Sequence, residues 1–294
     1  MKIQAAGKLP ITVLLAAKNE EINLPRCLSA LTPARRVVVL DSHSTDDTAV
    51  IALAHGAEVV QFDYHGGYPK KRQWALENLS FDTPWVLMLD ADEVVPDELW
   101  TEIAQAIRGD VVPAAFMITK GFHFLGRPMR RGGFSHAAVL LFKTGKARFE
   151  RIFDDLVDGL DMEVHERVVV DGRICQIETP LIHEDFKGLE AYIARHNKYS
   201  TWEAQLRYRY LTSGRYGEAT ILPKWSGNTQ ERRRAIKALI IRLPFEHWVW
   251  FGYHYIFKLG FLEGRAGLIA SQIRASYIAQ VRSKIYELTL QRQK

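Results

Sequence analysis

The alternation of apolar and polar positions changes character partway along the chain. Ile11–Ala16 (ITVLLA) is an unbroken apolar run after Pro10, which predicts a strand buried on both faces. Glu20–Leu31 carries Ile22, Leu24, Cys27, Leu28 and Leu31 at helical spacing. Val37–Leu40 predicts a second buried strand, ending at Asp41. Ser44 stands three residues before Asp47, a capping-box-like start for a helix through His55. Ala57–Phe62 predicts a third strand, Lys70–Leu79 a helix, and Trp85–Leu89 a fourth strand that runs into Asp90-Ala91-Asp92. Pro96 opens a helix through Ile107 at the favoured first turn. Strands separated by single helices imply an α/β fold, with a mostly parallel sheet and helices on both faces. Ligands of such sheets gather beyond the carboxyl ends of the strands. Asp41 and Asp90 both fall there.

From Ala114 the pattern turns to short strands with Gly-rich connections: Ala114–Thr119, Ala137–Phe142, Arg167–Val170 and Arg173–Ile177. Asp171-Gly172 reads as a hairpin turn between the last two. A long helix is expected from Leu189 to Leu211, followed by a helix opened by Arg232-Arg233-Arg234 and interrupted at Pro244.

Several polar groups in this frame could carry chemistry. Asp90 and Asp92 flank one small residue past a buried strand, and oxygen-only ligands suit Mg²⁺ or Mn²⁺. The alternative is a solvated strand-end turn. Asp41 could accept from a nucleobase N–H or cap the next helix in competition with Ser44. Lys70, Lys71 and Arg72 could reach a diphosphate or base carbonyl, or form an exposed cationic turn. Glu163, His165 and Glu166 lead into a strand, where an exposed edge charge is the plainer reading. His183, in PLIHEDF, could be a ligand or a satisfied turn residue. For His196 and Tyr199, packing outweighs an acceptor contact, and for Arg130 and Arg131 solvation is the alternative to a phosphate clamp.

Composition narrows the classes. The 294 residues are 47% hydrophobic and 25% charged, which fits a globular chain. Cys27 and Cys175 cannot build a disulfide framework or a zinc site, so a reducing compartment is expected. No signal peptide and no run long enough to span a bilayer is expected. The net charge of +5 hides an asymmetry. Lys224–Lys294 holds 13 basic and 4 acidic residues, a balance of +9, which leaves −4 for the rest. Within it, seven of the 13 residues from Phe245 to Phe257 are Phe, Trp or Tyr. Such rings favour a membrane–water interface, and cations favour anionic headgroups. An interfacial, monotopic helix pair is expected here, with Trp248, Trp250, Phe251, Arg232, Arg233 and Arg234 in contact with an anionic membrane surface. The alternative is packing on the rest of the chain or on a second copy. No nucleic acid partner is expected, for want of a binding motif.

Four segments carry a resemblance. AAKNEEINLPRCLSAL, VVVLDSHSTDDT, KKRQWALEN and WVLMLDADE stand in the order and spacing of the family 2 glycosyltransferases. The resemblance runs from Ile11 to about Leu99 and continues through EVHERVVVDG and LIHEDFKGLEAYIARHNKYSTWEA. FKLGFLEGRAGL is similar to bacterial transferases of lipopolysaccharide core and exopolysaccharide, including the β-1,4-glucosyltransferase type. The resemblance implies a GT-A fold and an inverting transferase that uses a nucleotide-sugar donor, UDP rather than GDP, with Mn²⁺ or Mg²⁺ as cofactor. Ala16, Ala17 and Glu20 would line the base and ribose, and Asp41 would bind the base edge with help from Arg72. Asp90 would hold ribose or metal, and Asp92 would ligate the metal, joined by His183. Glu166 would be the base that activates the acceptor, with Glu163 in reserve. Ala17 and Lys18 stand where relatives often have Pro and Tyr. The acceptor would be a lipid-linked saccharide or lipopolysaccharide core, met at the cytoplasmic face of the inner membrane. Residues 1–223 would form the catalytic domain, donor-binding to about 110, and 224–294 the membrane-associating region. A homo-oligomer stays open. A polyprenyl-phosphate sugar synthase and a non-catalytic scaffold are the rival functions. A nucleotidyltransferase would need a glycine-rich loop that AAKNEE lacks.

Overall fold

The computed structural model describes residues 7–108, 112–151, 160–163, 166–214, 223–227 and 229–291. Its first half follows the expected alternation. Strands β1 (Leu9–Ala17), β2 (Ala34–Asp41), β3 (Glu58–Gln61) and β4 (Trp85–Asp90) run parallel, joined through helices α1 (Leu24–Ser29), α2 (Thr48–Ala54) and α3 (Lys71–Asn78). β1 lies between β2 and β4, and every residue from Ile11 to Ala17 is buried, as a strand covered on both faces requires. α1 is shorter than the apolar spacing predicts. The chain turns first through Glu20, whose carbonyl accepts from both Asn23 and Leu24, and Ile22 stays exposed. Nor does Ser44 cap α2, which starts at Thr48; its hydroxyl serves the loop before it.

The second half is mixed. After β5 (Glu93–Val94) and α4 (Asp97–Ala106) come β6 (Ala115–Phe124), β7 (Arg127–Pro128), β8 (His136–Lys143), β9 (Ala147–Phe149), β10 (Val168–Val170), β11 (Ile174–Gln176) and β12 (Leu181–His183). The main sheet has the order β3-β2-β1-β4-β8-β6-β12-β5, with β8 antiparallel to both its neighbours. The hairpin expected at Asp171-Gly172 does not form: β10 pairs with β9 and β11 with β6. Short strands of this kind are placed by their sheet neighbours, so a local turn signal does not decide their partner.

Four helices complete the described residues: α5 (Gly188–Ser213), α6 (Thr229–Ile240), α7 (Glu246–Gly252) and α8 (Gly264–Gln291), with a π-helical turn at Tyr253–Phe257 and a 3₁₀ turn at Gly260–Glu263 between the last two. α8 packs along α5 and α7. Gly267 lets it start close to the 3₁₀ turn, because a Cβ there would collide with the Gly260 carbonyl. Glu203, Arg207 and Glu246 form a buried ion-pair group between α5 and α7: Arg207 lies 2.6 Å from Glu203 and 2.8 Å from Glu246.

Candidate functional site

The register of the central strands assembles one edge. Ala17 lies opposite Asp41 of β2, and Ala16 opposite Asp90 of β4, so the two carboxylates flank the end of β1. Asp41 is buried and accepts from the Ser44 N–H at 3.2 Å, the Ser44 hydroxyl and Gln61 Nε2 at 3.0 Å. Ser44 Oγ in turn accepts from the Asn19 N–H at 2.8 Å. Asn19 and His43, just beyond β1 and β2, have φ of +54° and +52°. Non-glycine residues held there store strain on the order of 1 kcal/mol each, a pattern concentrated at binding loops.

The cationic triplet is not an exposed turn. Lys70, Lys71 and Arg72 turn inward at the start of α3, and each meets a different carboxylate. Lys70 pairs with Glu166 at 2.7 Å, with its ammonium 4.8 Å from the Trp202 ring centre. Lys71 pairs with Asp161 at 3.0 Å and donates to the Ala17 carbonyl at 2.8 Å. Arg72 pairs with Asp90 and donates to the Glu163 carbonyl at 3.2 Å. Arg72 therefore bridges the end of β4 and the Glu163 segment. The Glu163 carboxylate accepts from the Arg72 and Gln73 N–H groups at 3.2 and 2.9 Å, which caps α3. Burial raises its pKa against the pull of Arg72. That engagement separates the two candidate bases: Glu163 holds a helix end, whereas Glu166 faces Lys70. His165 between them lies outside the described residues.

At the end of β4, Asp90 sits between Arg72 and Lys120, the latter at 2.9 Å. Burial alone would raise its pKa, but the two cations reverse this and hold it well below the usual carboxylate range. Lys120 also pairs with fully buried Glu93 at 2.5 Å, and Glu93 accepts from the Asp90 N–H at 3.0 Å. Burial keeps the Glu93 pKa raised. Asp92 points elsewhere. β12 brings His183 to 3.3 Å from its carboxylate, and the Glu184 N–H donates to the Asp92 carbonyl at 2.9 Å. Burial opposes a charged His183 ring, but Asp92 and Glu93 outweigh it and raise the pKa. Among the described residues, no three His, Cys, Asp or Glu side chains are gathered as a metal cage. Asp90, expected as a ribose or metal ligand, has both carboxylate oxygens committed to cations. Asp92 and His183 are the pair that could hold a divalent cation, Asp92 by an oxygen and His183, once its ring is neutral, by a nitrogen.

The segment after β12 fastens α5 over this edge. Lys187 pairs with Glu20 at 2.5 Å, Arg26 with Glu184 at 2.6 Å and Arg195 with Asp185 at 2.7 Å. Burial raises the Glu20 pKa even with Lys187 beside it. On the face of α5 turned to the site, Tyr199 is pushed up to about 12 by burial, with Asp90 and Asp92 among its charged neighbours. His196 stacks on Tyr192 at 3.8 Å, which is packing. Lys120, Glu93, Asp161 and Trp202 are absent from the sequence reading. Of these only Glu93 carries a local signal, its adjacency to Asp92.

The C-terminal aromatic segment sorts by helical period. Glu246, Trp250 and His254, four residues apart, face inward: Trp250 Nε1 donates to Glu246 at 3.1 Å and its ring stacks on His254 at 5.7 Å. Trp250 is thus removed from the expected outer face. Phe251 is half-buried against Tyr255. The outer face carries Phe245, Trp248, Val249, Ile256, Phe257, Phe261 and Leu262, with Phe257 75% and Trp248 64% exposed. Arg242, Lys258 and Arg265, within or next to this segment, are exposed, as is Arg232 on α6. The side chains of Arg233 and Arg234 lie outside the described residues. No helix among the described residues is long and apolar enough to cross a membrane.

Comparison with known proteins adds a family. The description "Glycosyl transferase family 2" matches residues 12–158. The chain is 24% identical over 279 residues to the lipopolysaccharide core biosynthesis glycosyltransferase LpsC of Rhizobium meliloti, covering 93% of each. It is 42% identical over 82 residues to an uncharacterized glycosyltransferase of Mycobacterium bovis, 28% of this chain and 36% of that relative. Among solved structures, glucosyl-3-phosphoglycerate synthase of Mycobacterium tuberculosis, held with Mn²⁺ and uridine diphosphate, is 26% identical over 42% of this chain and 46% of that one, TM-score 0.30. TarS 1–349 of S. aureus is 15% identical over 94% and 92%, TM-score 0.43. Neither superposition is close enough to transfer a residue's role. The family match takes in β1 to β4 and the carboxylates at their ends, and with it the chain belongs to glycosyl transferase family 2, a transferase of GT-A fold.

Proposed function

We propose that the chain moves a sugar, with inversion, from a UDP-sugar onto a lipid-linked saccharide or lipopolysaccharide-core acceptor at the cytoplasmic face of the inner membrane. The observation that carries the donor half is the Asp92–His183 pair, 3.3 Å apart at the carboxyl ends of the strands. LpsC, similar along nearly the whole chain, supports the acceptor class. A divalent cation at Asp92 and His183 would neutralise charge on the leaving diphosphate. Behind them, Arg72 and Lys120 hold Asp90 rigidly at the end of β4. Ala16, Ala17, Glu20 and Asp41 form the wall for base and ribose. Glu166 takes the proton of the acceptor hydroxyl as the sugar carbon is attacked on its far side. Lys70 at 2.7 Å keeps the Glu166 carboxylate oriented.

Residues 1–223 would act as the catalytic domain, and 224–294 as the region that meets the bilayer. The outer face of the Phe245–Leu262 hairpin, with cations beside it, has the chemistry of a shallow interfacial anchor.

The test is a thermal-shift panel of UDP, GDP, CDP and dTDP with and without Mn²⁺, followed by transfer assays with the best base. Binding raises apparent stability by mass action, so UDP with Mn²⁺ should give the largest shift. A chain that responds to no nucleotide overturns the reading, and a larger shift with GDP changes the donor.

A further inference from the structure

α8 passes beside the open end of the site. Its Ala270 and Ile273 pack on Phe122, Phe124, Met129 and Phe134, and the Phe122 ring meets the His183 ring edge-on at 6.1 Å. The next residue, Arg274, is exposed, with its guanidinium 5.5 Å from the Tyr277 ring centre. Tyr277 in turn meets His196 of α5 at 5.8 Å. Arg274 therefore stands between the His183 end of the sheet and the first turns of α5. His136, the first residue of β8, lies opposite Lys120 in the register, the lysine that holds Asp90.

Resting on the transferase reading, we propose that Arg274 and His136 form the anion-holding wall of the acceptor site, so that the acceptor is a saccharide bearing a phosphate or a carboxylate. Among the described residues, Arg274 has no carboxylate at ion-pair distance. Asp185, just ahead of α5, is taken by Arg195 at 2.7 Å, and Glu203 on α5 by Arg207 at 2.6 Å and Lys237 at 3.0 Å, while Glu190 in the first turn of α5 is exposed. Desolvation and the charges of Lys120, His183 and Arg274 lower the pKa of the His136 ring against the pull of Asp90, although the residue keeps an exposed surface. A neutral His136 ring still offers an N–H, and the arginine fork matches two oxygens of one anion. An exposed arginine without a matching acid raises the local concentration of an anionic substrate.

The experiment titrates the protein, saturated with UDP and Mn²⁺, with glucose 6-phosphate, glucuronate and glucose by calorimetry. At least one of the two anionic sugars should bind tenfold or more tighter than glucose. Arg274→Gln should erase that difference, and Arg274→Lys should retain part of it. Tighter glucose 6-phosphate assigns the site to phosphate, and tighter glucuronate assigns it to carboxylate. Equal binding of all three sugars to the wild type overturns the inference, as does an anion preference that survives Arg274→Gln. Loss of UDP binding in Arg274→Gln overturns it too, since the residue then serves the donor or the fold. A wild-type chain that binds no UDP removes the transferase reading and this inference with it. One that binds UDP without anion preference removes this inference alone.

Discussion

At the strand ends, charge is taken out of water and matched. Arg72, Lys120, Asp90 and Glu93 form one linked group, and Lys70 and Lys71 each hold a further carboxylate. On the Phe245–Leu262 hairpin a set of apolar side chains is turned out while Glu246 and His254 are turned in: Glu246 is 1% exposed and Phe257 75%. A matched buried cluster resists change because removing one partner strands the other. An exposed apolar face contributes nothing to the fold, so it can be altered without unfolding the chain. The two regions should therefore respond oppositely to substitution, one in stability and the other in binding.

The largest expected effect is on the hairpin. Replacing Phe245, Trp248 and Phe257 together by Ser removes burial of roughly 1.5 kcal/mol or more per ring in a bilayer. Binding to anionic vesicles in high salt should fall on the order of 1000-fold, while the melting temperature holds. Vesicle sedimentation reads this out. Undiminished pelleting would make the face a subunit contact, which analytical ultracentrifugation would then show.

Next is the buried group. Lys120→Met leaves Asp90 and Glu93 without a shared cation and should cost about 3–5 kcal/mol in urea unfolding. A cost below about 1 kcal/mol would mean that water already reaches these carboxylates.

Two substitutions at the open edge should act on rate instead. Asp92→Asn should lower Mn²⁺-stimulated transfer on the order of 100-fold, since a metal contributes several kcal/mol, and leave unfolding nearly unchanged. Glu166→Gln should lower kcat by about 100-fold or more with UDP binding intact. Glu163→Gln supplies the contrast: it weakens the cap of α3 and should cost about 1 kcal/mol of stability. If Glu163→Gln shows the kcat loss and Glu166→Gln does not, the base is Glu163.

The smallest effect is with pH. Burial opposes ionised Asp161 and Asp185, yet Lys71 and Ser42 on one and Asn23 and Arg195 on the other hold both pKa values below the ordinary 3.8. Stability from these groups is present above that value and lost as pH falls through the folded one. Unfolding free energy should fall more steeply below about pH 4 in the wild type than in Asp161→Asn. Equal slopes would show that Asp161 is not coupled to folding.

Local order was legible where one interaction repeats along the chain. Apolar runs and helical spacing marked β1 to β4 and α3 because burial on a sheet or helix face imposes a period. Asp41, Asp90, Asp92 and Glu166 could be singled out by their place at strand ends and in motifs. The excess of cations and rings after Lys224 was visible as composition alone. Which groups meet was not visible. Arg72 reaches Asp90 across 18 positions and Glu163 across 91, and the register of β6 and β8 alone puts Lys120 near that pair. Trp248 and Trp250 differ by two positions in a chemically uniform stretch, and only packing against Glu246 and His254 sends one outward and the other in. The sequence by itself determined the parallel half of the sheet, the family motifs and the charge asymmetry, because these are local patterns and sums. The tertiary structure decided the partners of Asp90, Glu93, Glu163 and Glu166 and the face that Trp248 and Trp250 present. Those depend on distances between segments that have no period in common.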